Sequence, residues 1–303
     1  MTISRRNVLK VIAAGGAAAA LPEPADARDP RPSGPDDVGM LFDSTLCVGC
    51  RACQTACKVA NGLPADTENV QGGLYDAPLD LNGSTKNVIK LAVDGDASTY
   101  MKMQCMHCAD PSCVSVCMAG ALHKLPNGTV AYDKGLCVGC RYCQIACPFN
   151  VPKFQWHTAI PVIVKCELCR DRKDGKVERG PACCEVCPRA AVKYGKRAAL
   201  LAEAKERIRR SPGKYFEDRV FGEADGGGTN VLYLSPREVS FKSLGLPTLP
   251  KAAPAATAEA VQHGLYKLGI APVAIYAAVT WAQFRAKAKA ATEAAHSDHE
   301  EEK

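Results

Sequence analysis

The chain has 303 residues, 47% hydrophobic and 23% charged, which allows a packed core and excludes a fibrous or wholly disordered protein. A formal charge of +6 could suggest a polyanionic partner, but all 17 cysteines lie between Cys47 and Cys187. If they hold four cubane iron–sulfur clusters of about −2 each, the balance becomes about −2, so nucleic acid is not an expected partner.

Residues 1–27 read as an export signal. Arg5 and Arg6 precede a weakly apolar stretch, Val11 to Leu21, too short to span a bilayer, and a cleavage-like Ala25-Asp26-Ala27 follows. Ser4 to Lys10 resembles the twin-arginine address of proteins exported already folded, with Val8 where that signal usually has Phe. Such export suits a chain that receives a metal cofactor before crossing the membrane. Five prolines between Pro22 and Asp37 cannot build a core. Residues 28–37 are therefore a linker, and the folded domain, 38–197, begins near Val38.

Within that domain the cysteines form four groups of four. Cys47, Cys50, Cys53 and Cys57 have the spacing C-x2-C-x2-C-x3-C, repeated by Cys137, Cys140, Cys143 and Cys147. Leu46–Cys57 and Leu136–Cys147 agree at ten of twelve positions, which marks an internal duplication. The other two groups share a second form: Cys105, Cys108, Cys113 and Cys117, and Cys166, Cys169, Cys183 and Cys187. Three cysteines at consecutive third positions on a tight turn can close around three corners of one cube. The fourth cysteine then reaches a different cluster, as in two-cluster ferredoxins. Sixteen cysteines thus predict four 4Fe-4S clusters. A disulfide framework, the rival in an exported chain, is disfavoured by the odd cysteine count and the repeated third-position spacing. Zinc ribbons, which use pairs of C-x2-C, need no third cysteine three residues on.

Short strands are expected to lead into these groups at Met40–Asp43, Thr129–Asp133 and Pro161–Lys165, and Asn127-Gly128 predicts a hairpin between Ala121–Lys124 and Val130–Tyr132. Groups two and three are expected to exchange fourth ligands, and groups one and four to form a second unit. Cluster A would use Cys47, Cys50, Cys53 and Cys187; cluster B, Cys166, Cys169, Cys183 and Cys57. Cluster C would use Cys105, Cys108, Cys113 and Cys147; cluster D, Cys137, Cys140, Cys143 and Cys117. Cys184 is then the spare thiol, expected to be a small buried residue. His107 is expected at the surface or behind the ligands, since four sulfurs complete the site. Arg51, Lys58, Lys102, Arg141, Lys165, Arg170 and Arg189 lie near the cysteines, where each could offset cluster charge or simply be solvated.

Asn61–Ser98, rich in Gly, Asp and Asn, reads as a loop insertion. Residues 198–260 follow the clusters as a helix plus an irregular extension suited to partner docking. Ala198–Arg210 is the helix, with Leu201, Ala204 and Ile208 on one side. Ser211–Leu246 is mostly irregular. Gly226-Gly227-Gly228 precedes the strand-like Val231–Leu234, the wrong order for a phosphate loop. No catalytic residue is expected: no nucleotide fingerprint, nucleophile elbow or zincin motif is present, which leaves electron movement and not bond-making as the expected chemistry. A Pro- and Ala-rich linker, Pro247–Ala260, leads to a segment, 261–284, expected to be a single transmembrane anchor. Arg285, Lys287 and Lys289 place the tail, 285–303, in the cytoplasm by the positive-inside tendency and the cysteine domain outside. The fold class expected is α+β: two interleaved ferredoxin-like two-cluster units, an irregular extension and one C-terminal transmembrane helix.

Gly39–Leu46 leading into Cys47, Cys105-Met-His-Cys108, Gly139-Cys-Arg-Tyr-Cys143, Asn150-Val-Pro-Lys153, Lys165-Cys-Glu-Leu-Cys169 and Gln262–Lys267 together resemble the four-cluster ferredoxin-type electron-transfer subunits of membrane-bound nickel–iron hydrogenases of the hydrogenase 2 type. The resemblance covers nearly the whole chain. It implies a twin-arginine leader and its translocation machinery, a periplasmic cluster domain, one membrane anchor, and as partners the hydrogenase small and large subunits and a multi-helix, quinone-reactive membrane subunit. Iron–sulfur subunits of molybdopterin enzymes such as formate dehydrogenase use the same module and remain an alternative, as does a non-redox, zinc-stabilised scaffold. Met118 departs from the usual cysteine-proline ending.

Overall fold

A computed structural model describes residues 31–65, 78–156, 158, 161–172, 180–260, 273 and 276–285. Ala27–Ala258 makes one compact unit; Met1–Asp26 and Glu259–Lys303 make another. The predicted leader, 1–27, and the tail, 285–303 beyond Arg285, lie outside the described residues.

In the larger unit, β1 (Val38–Asp43) is the centre of a three-stranded sheet. Met40, Leu41 and Phe42 are all buried, the continuous apolar run of a strand covered on both faces. β8 (Val192–Lys196) pairs antiparallel on one side and β9 (Val231–Leu234) parallel on the other. Gly39 permits the second pairing: a Cβ there would stand 1.8 Å from the carbonyl oxygen of Asn230. α5 (Arg197–Arg210) packs on this sheet, burying Leu200 and Ala204 beside Leu41, Leu232 and Leu234, with Leu201 and Ile208 only partly covered. Asp43, at the end of β1, is 1% exposed and receives Arg207 Nη1 at 2.8 Å, the Tyr215 hydroxyl at 3.2 Å and the Thr45 hydroxyl at 2.6 Å.

The remaining strands form hairpins. β4 (Leu122–Lys124) and β5 (Val130–Tyr132) flank Asn127-Gly128, and the left-handed backbone of Gly128 makes the turn. β6 (Lys153–Phe154) pairs with β7 (Ile163–Val164), just before Cys166. β2 (Asn87–Asp94) and β3 (Ala97–Gln104) pair along their full length. This corrects the expectation of a loop over Asn61–Ser98. Gly, Asp and Asn dominate the insertion as a whole, but its last third is the apolar Val88-Ile89-Lys90-Leu91-Ala92-Val93, closed by an Asp94-Gly95 turn. Ser211–Leu246 has its expected strand at β9 and, irregular elsewhere, still buries Val220, Phe221, Val239, Phe241 and Leu244.

Four short helices carry cysteines: α1 (Ala52–Asn61), α2 (Ser112–Ser115), α3 (Tyr142–Ala146) and α4 (Ala182–Glu185). α1 packs against α4, and α2 against α3. The outer two cysteine groups therefore meet in space, and so do the inner two.

Of the smaller unit, residues 259–260, 273 and 276–285 are described, all helical, with Val273, Tyr276, Val279, Trp281 and Phe284 exposed. Among the described residues no helix is long and apolar enough to cross a membrane. The whole first half of the predicted anchor, 261–284, lies outside them, as do residues 274 and 275.

Candidate metal centre

The duplicated motif sets its own backbone. Gly49 and Gly139 have φ of 69° and 70°, and Arg51 and Arg141, two residues on, have φ of 58° and 62°. Two left-handed residues within one C-x2-C-x turn curl the chain tightly enough to aim successive sulfurs inward. In the second motif form, His107 and Leu168 occupy the same place and are also left-handed, at 46° and 54°. A third shared turn follows three of the fourth cysteines. The N–H groups of Gly120, Asn150 and Ala190 donate to the carbonyls of Cys117, Cys147 and Cys187 at 3.0, 3.1 and 3.2 Å. Met118 stands in the first of these turns where Pro148 and Pro188 stand in the others, and the turn is unchanged.

Four rings of sulfur result. In ring A, Cys47, Cys50, Cys53 and Cys187 line one hollow. In ring B, Cys57, Cys166, Cys169 and Cys183 lie close enough for their charges to act on one another, and Asn61 Nδ2 spans the ring, 3.6 Å from Cys57 Sγ and 3.8 Å from Cys169 Sγ. In ring C, Cys108 neighbours Cys147, Cys113 and Cys105. In ring D, Cys117, Cys137, Cys140 and Cys143 line a second hollow. Backbone amides point at the sulfurs too: Ala191 N–H donates to Cys187 Sγ at 3.2 Å and Leu122 N–H to Cys117 Sγ at 3.4 Å.

The donor chemistry suits a polynuclear cluster. Burial pushes the thiols of Cys53, Cys57 and Cys143 up to about 12, so as bare thiols they stay protonated at neutral pH. A strongly cationic guest would turn these three into thiolates. Among the described residues no three His, Cys, Asp or Glu side chains are arranged to hold a single metal ion. In rings A and D the sulfurs surround a hollow, which suits a cube of iron and sulfur better than a single tetrahedral zinc ion.

The rings succeed one another. Cys53 of ring A neighbours Cys183 of ring B. Tyr233 is fully buried between rings B and C, acted on by Cys166 and Cys183 of the one and Cys105 of the other. Cys113 of ring C neighbours Cys143 of ring D. Cys50 in ring A and Cys140 in ring D are the two exposed cysteines of the seventeen. Around Cys140 the surface is apolar, with Met118, Val138 and Ile145 exposed and Trp156 stacked under the Arg141 guanidinium at 4.0 Å.

Several neighbours are placed where the sequence left alternatives open. His107 is fully buried, which leaves the place behind the ligands and not the surface: its Nδ1 accepts the Val130 N–H at 3.0 Å, and Nε2 has no hydrogen-bond partner among the described residues. Burial and the nearby Lys165 and Lys124 push its pKa well below the usual histidine range, so the ring is neutral. Cys184 is only half-buried, and its thiol hydrogen-bonds to Cys183. Of the basic residues, Lys58, Lys102 and Lys165 are buried and not solvated. Lys58 Nζ donates to the carbonyls of Pro64 and Ser84, and Lys165 Nζ to those of Val130 and Cys166. Asn61 and Tyr233 were not legible as site residues, because nothing in their local sequence announces a sulfur neighbour.

Known proteins share this pattern. A model of the 4Fe-4S dicluster domain matches residues 39–118, and another 4Fe-4S dicluster model matches 97–197. A model of the twin-arginine translocation pathway signal sequence matches 2–22, which implies export to the periplasm. The chain is 40% identical to the Hydrogenase-2 operon protein HybA of Escherichia coli O157:H7, over 92% of this chain and 94% of that protein. It is 34% identical to the formate dehydrogenase-O iron-sulfur subunit of Escherichia coli K12, over 66% of this chain and 67% of that subunit. With the formate dehydrogenase iron-sulfur subunit of Haemophilus influenzae it shares 32% identity, over 77% and 72%.

Proposed function

The chain belongs to the four-cluster ferredoxin-type family that includes the hydrogenase-2 protein HybA, and on that premise we propose that it conducts electrons between the catalytic subunits of a periplasmic nickel–iron hydrogenase and a quinone-reactive membrane subunit. The observation that carries this reading is the succession of rings A, B, C and D with exposed cysteines at the two ends. The sixteen ring cysteines are the ligands of four 4Fe-4S clusters, and each cluster, when bound, takes up and gives back one electron.

The chain's own residues do the rest. The left-handed turns hold the sulfurs, the buried Tyr233 keeps water from the middle rings and Phe42 lines the hollow of ring A, and the amides of Ala191 and Leu122 donate to sulfur, which raises a cluster's potential. No catalytic group is assigned. Domain 38–197 carries the clusters, 198–260 adds the docking extension, and 261–284 anchors the unit on the periplasmic face of the membrane. The exposed apolar residues of the described anchor helix support that placement.

The test is anaerobic purification of the intact membrane assembly, followed by hydrogen-dependent quinone reduction with and without this chain. Coupling lost in its absence, with hydrogen oxidation by artificial dyes retained, is the expected result. The formate dehydrogenase relatives favour a second reading, service to a molybdopterin enzyme; formate-dependent quinone reduction by the same assembly would establish it instead.

A further inference from the structure

Lys102 sits on β3, 1% exposed. Its ammonium donates to the side-chain oxygen of Gln104, whose amide is in turn tied to Met40 Sδ at 3.0 Å. Its backbone carbonyl accepts the Tyr233 hydroxyl at 2.6 Å, which fixes the strand at this point. Among the described residues no carboxylate forms an ion pair with it. An ammonium taken out of water costs several kcal/mol unless an anion compensates, and the candidates for that anion are sulfurs. Burial lowers the Lys102 amine, while Cys183, Cys53, Cys166 and Tyr233 act in the opposite sense, and the balance holds it above the ordinary lysine value. The field of Lys102 is felt in return by Cys47 and Cys53 of ring A and by Cys57, Cys166 and Cys183 of ring B. Lys102 also lines the hollow of ring A. In ring C the cation acting on Cys113 is a different residue, Lys165.

We propose that Lys102 is a cation shared by clusters A and B, and that it sets the reduction potentials of both by stabilising the extra electron on either one. The inference rests on the electron-transfer reading above. Each reduction adds one electron to one cluster, and no proton or bond at Lys102 changes. A fixed positive charge at close range and in low dielectric favours the more negative oxidation state. A single residue thereby keeps two neighbouring clusters at potentials that move together, while clusters C and D are set by other groups.

The test is a redox titration with dithionite, followed by low-temperature electron paramagnetic resonance, on the complete complex containing wild-type chain, Lys102→Met or Lys102→Arg. Cys57→Ala and Cys117→Ala assign the signals of clusters B and D. With Lys102→Met, the reduction equilibria of A and B should each shift at least tenfold toward the oxidised form, about 59 mV for a one-electron couple. C and D should shift less, and Lys102→Arg should stay near wild type. If the methionine variant fails to load iron, Lys102→Gln, which keeps a polar head toward Gln104, makes the same measurement. Unmoved potentials, an equal shift in all four clusters, or a shift with arginine as large as with methionine would overturn the proposal. A wild-type complex without four reducible clusters would overturn the electron-transfer reading itself, and with it this inference.

Discussion

Cys57 illustrates what single side chains decide in this protein. It closes its own motif in sequence, yet it lies in ring B with Cys166, Cys169 and Cys183. Cys57→Ala should therefore remove cluster B and spare cluster A, lowering iron from about sixteen to about twelve atoms per chain by iron analysis, with three cluster signals left in electron paramagnetic resonance. The buried thiols also predict how the iron-free chain behaves. At Cys53, Cys57 and Cys143 burial lifts the folded-state value from the ordinary thiol 9.0 to about 12. The neutral thiol is then favoured by folding, a contribution fully present below pH 9 and lost as pH rises from 9 to about 12. The Tm of the iron-free protein should fall across that window, and less steeply in Cys53→Ala. Ligand identities were legible because cluster chemistry imposes short, repeated spacings on the sequence. The burial of Lys102 and His107 was not, since a basic side chain looks alike in sequence whether it faces water or a ring of sulfurs made by distant residues.

Among the elements, β1 is the one on which the others depend. Gly39→Ala would drive a methyl group into the Asn230 carbonyl and part β1 from β9. We expect a loss of about 2 kcal/mol or more, read as a lower Tm or midpoint in urea. Asp43→Ala would leave Arg207 and the Tyr215 hydroxyl without their shared carboxylate and loosen α5 from the sheet. The expected cost is about 3 kcal/mol, with Asp43→Asn in between. Limited proteolysis should then cut first near α5. The strand ends before the cysteines and the Asn127-Gly128 hairpin were readable from local turn chemistry. β2 was not, because the Gly- and Asn-rich stretch ahead of it dominated the composition. Nor was the parallel pairing of β1 with β9, which joins segments nearly two hundred residues apart.

For the molecule as a whole, the division after Ala258 separates the cluster-bearing unit from the segment proposed as anchor. A chain truncated after Ala258 should leave washed membranes in the presence of carbonate while keeping the iron content and four signals of the full chain. Retention on the membrane would instead place attachment on the cluster-bearing unit, where the apolar surface around Cys140 is the first place to look.

The interleaving of the motifs also has a bearing on biogenesis. Ring A opens with Cys47 but is closed by Cys187, which leaves the ribosome 140 residues later, and ring B likewise waits for Cys183. A nascent chain can gather the sulfurs of the inner pair well before those of the outer pair. A prematurely terminated product would thus be left with two gaping sites, recognisable to any quality-control step that inspects the cargo before it is released for translocation.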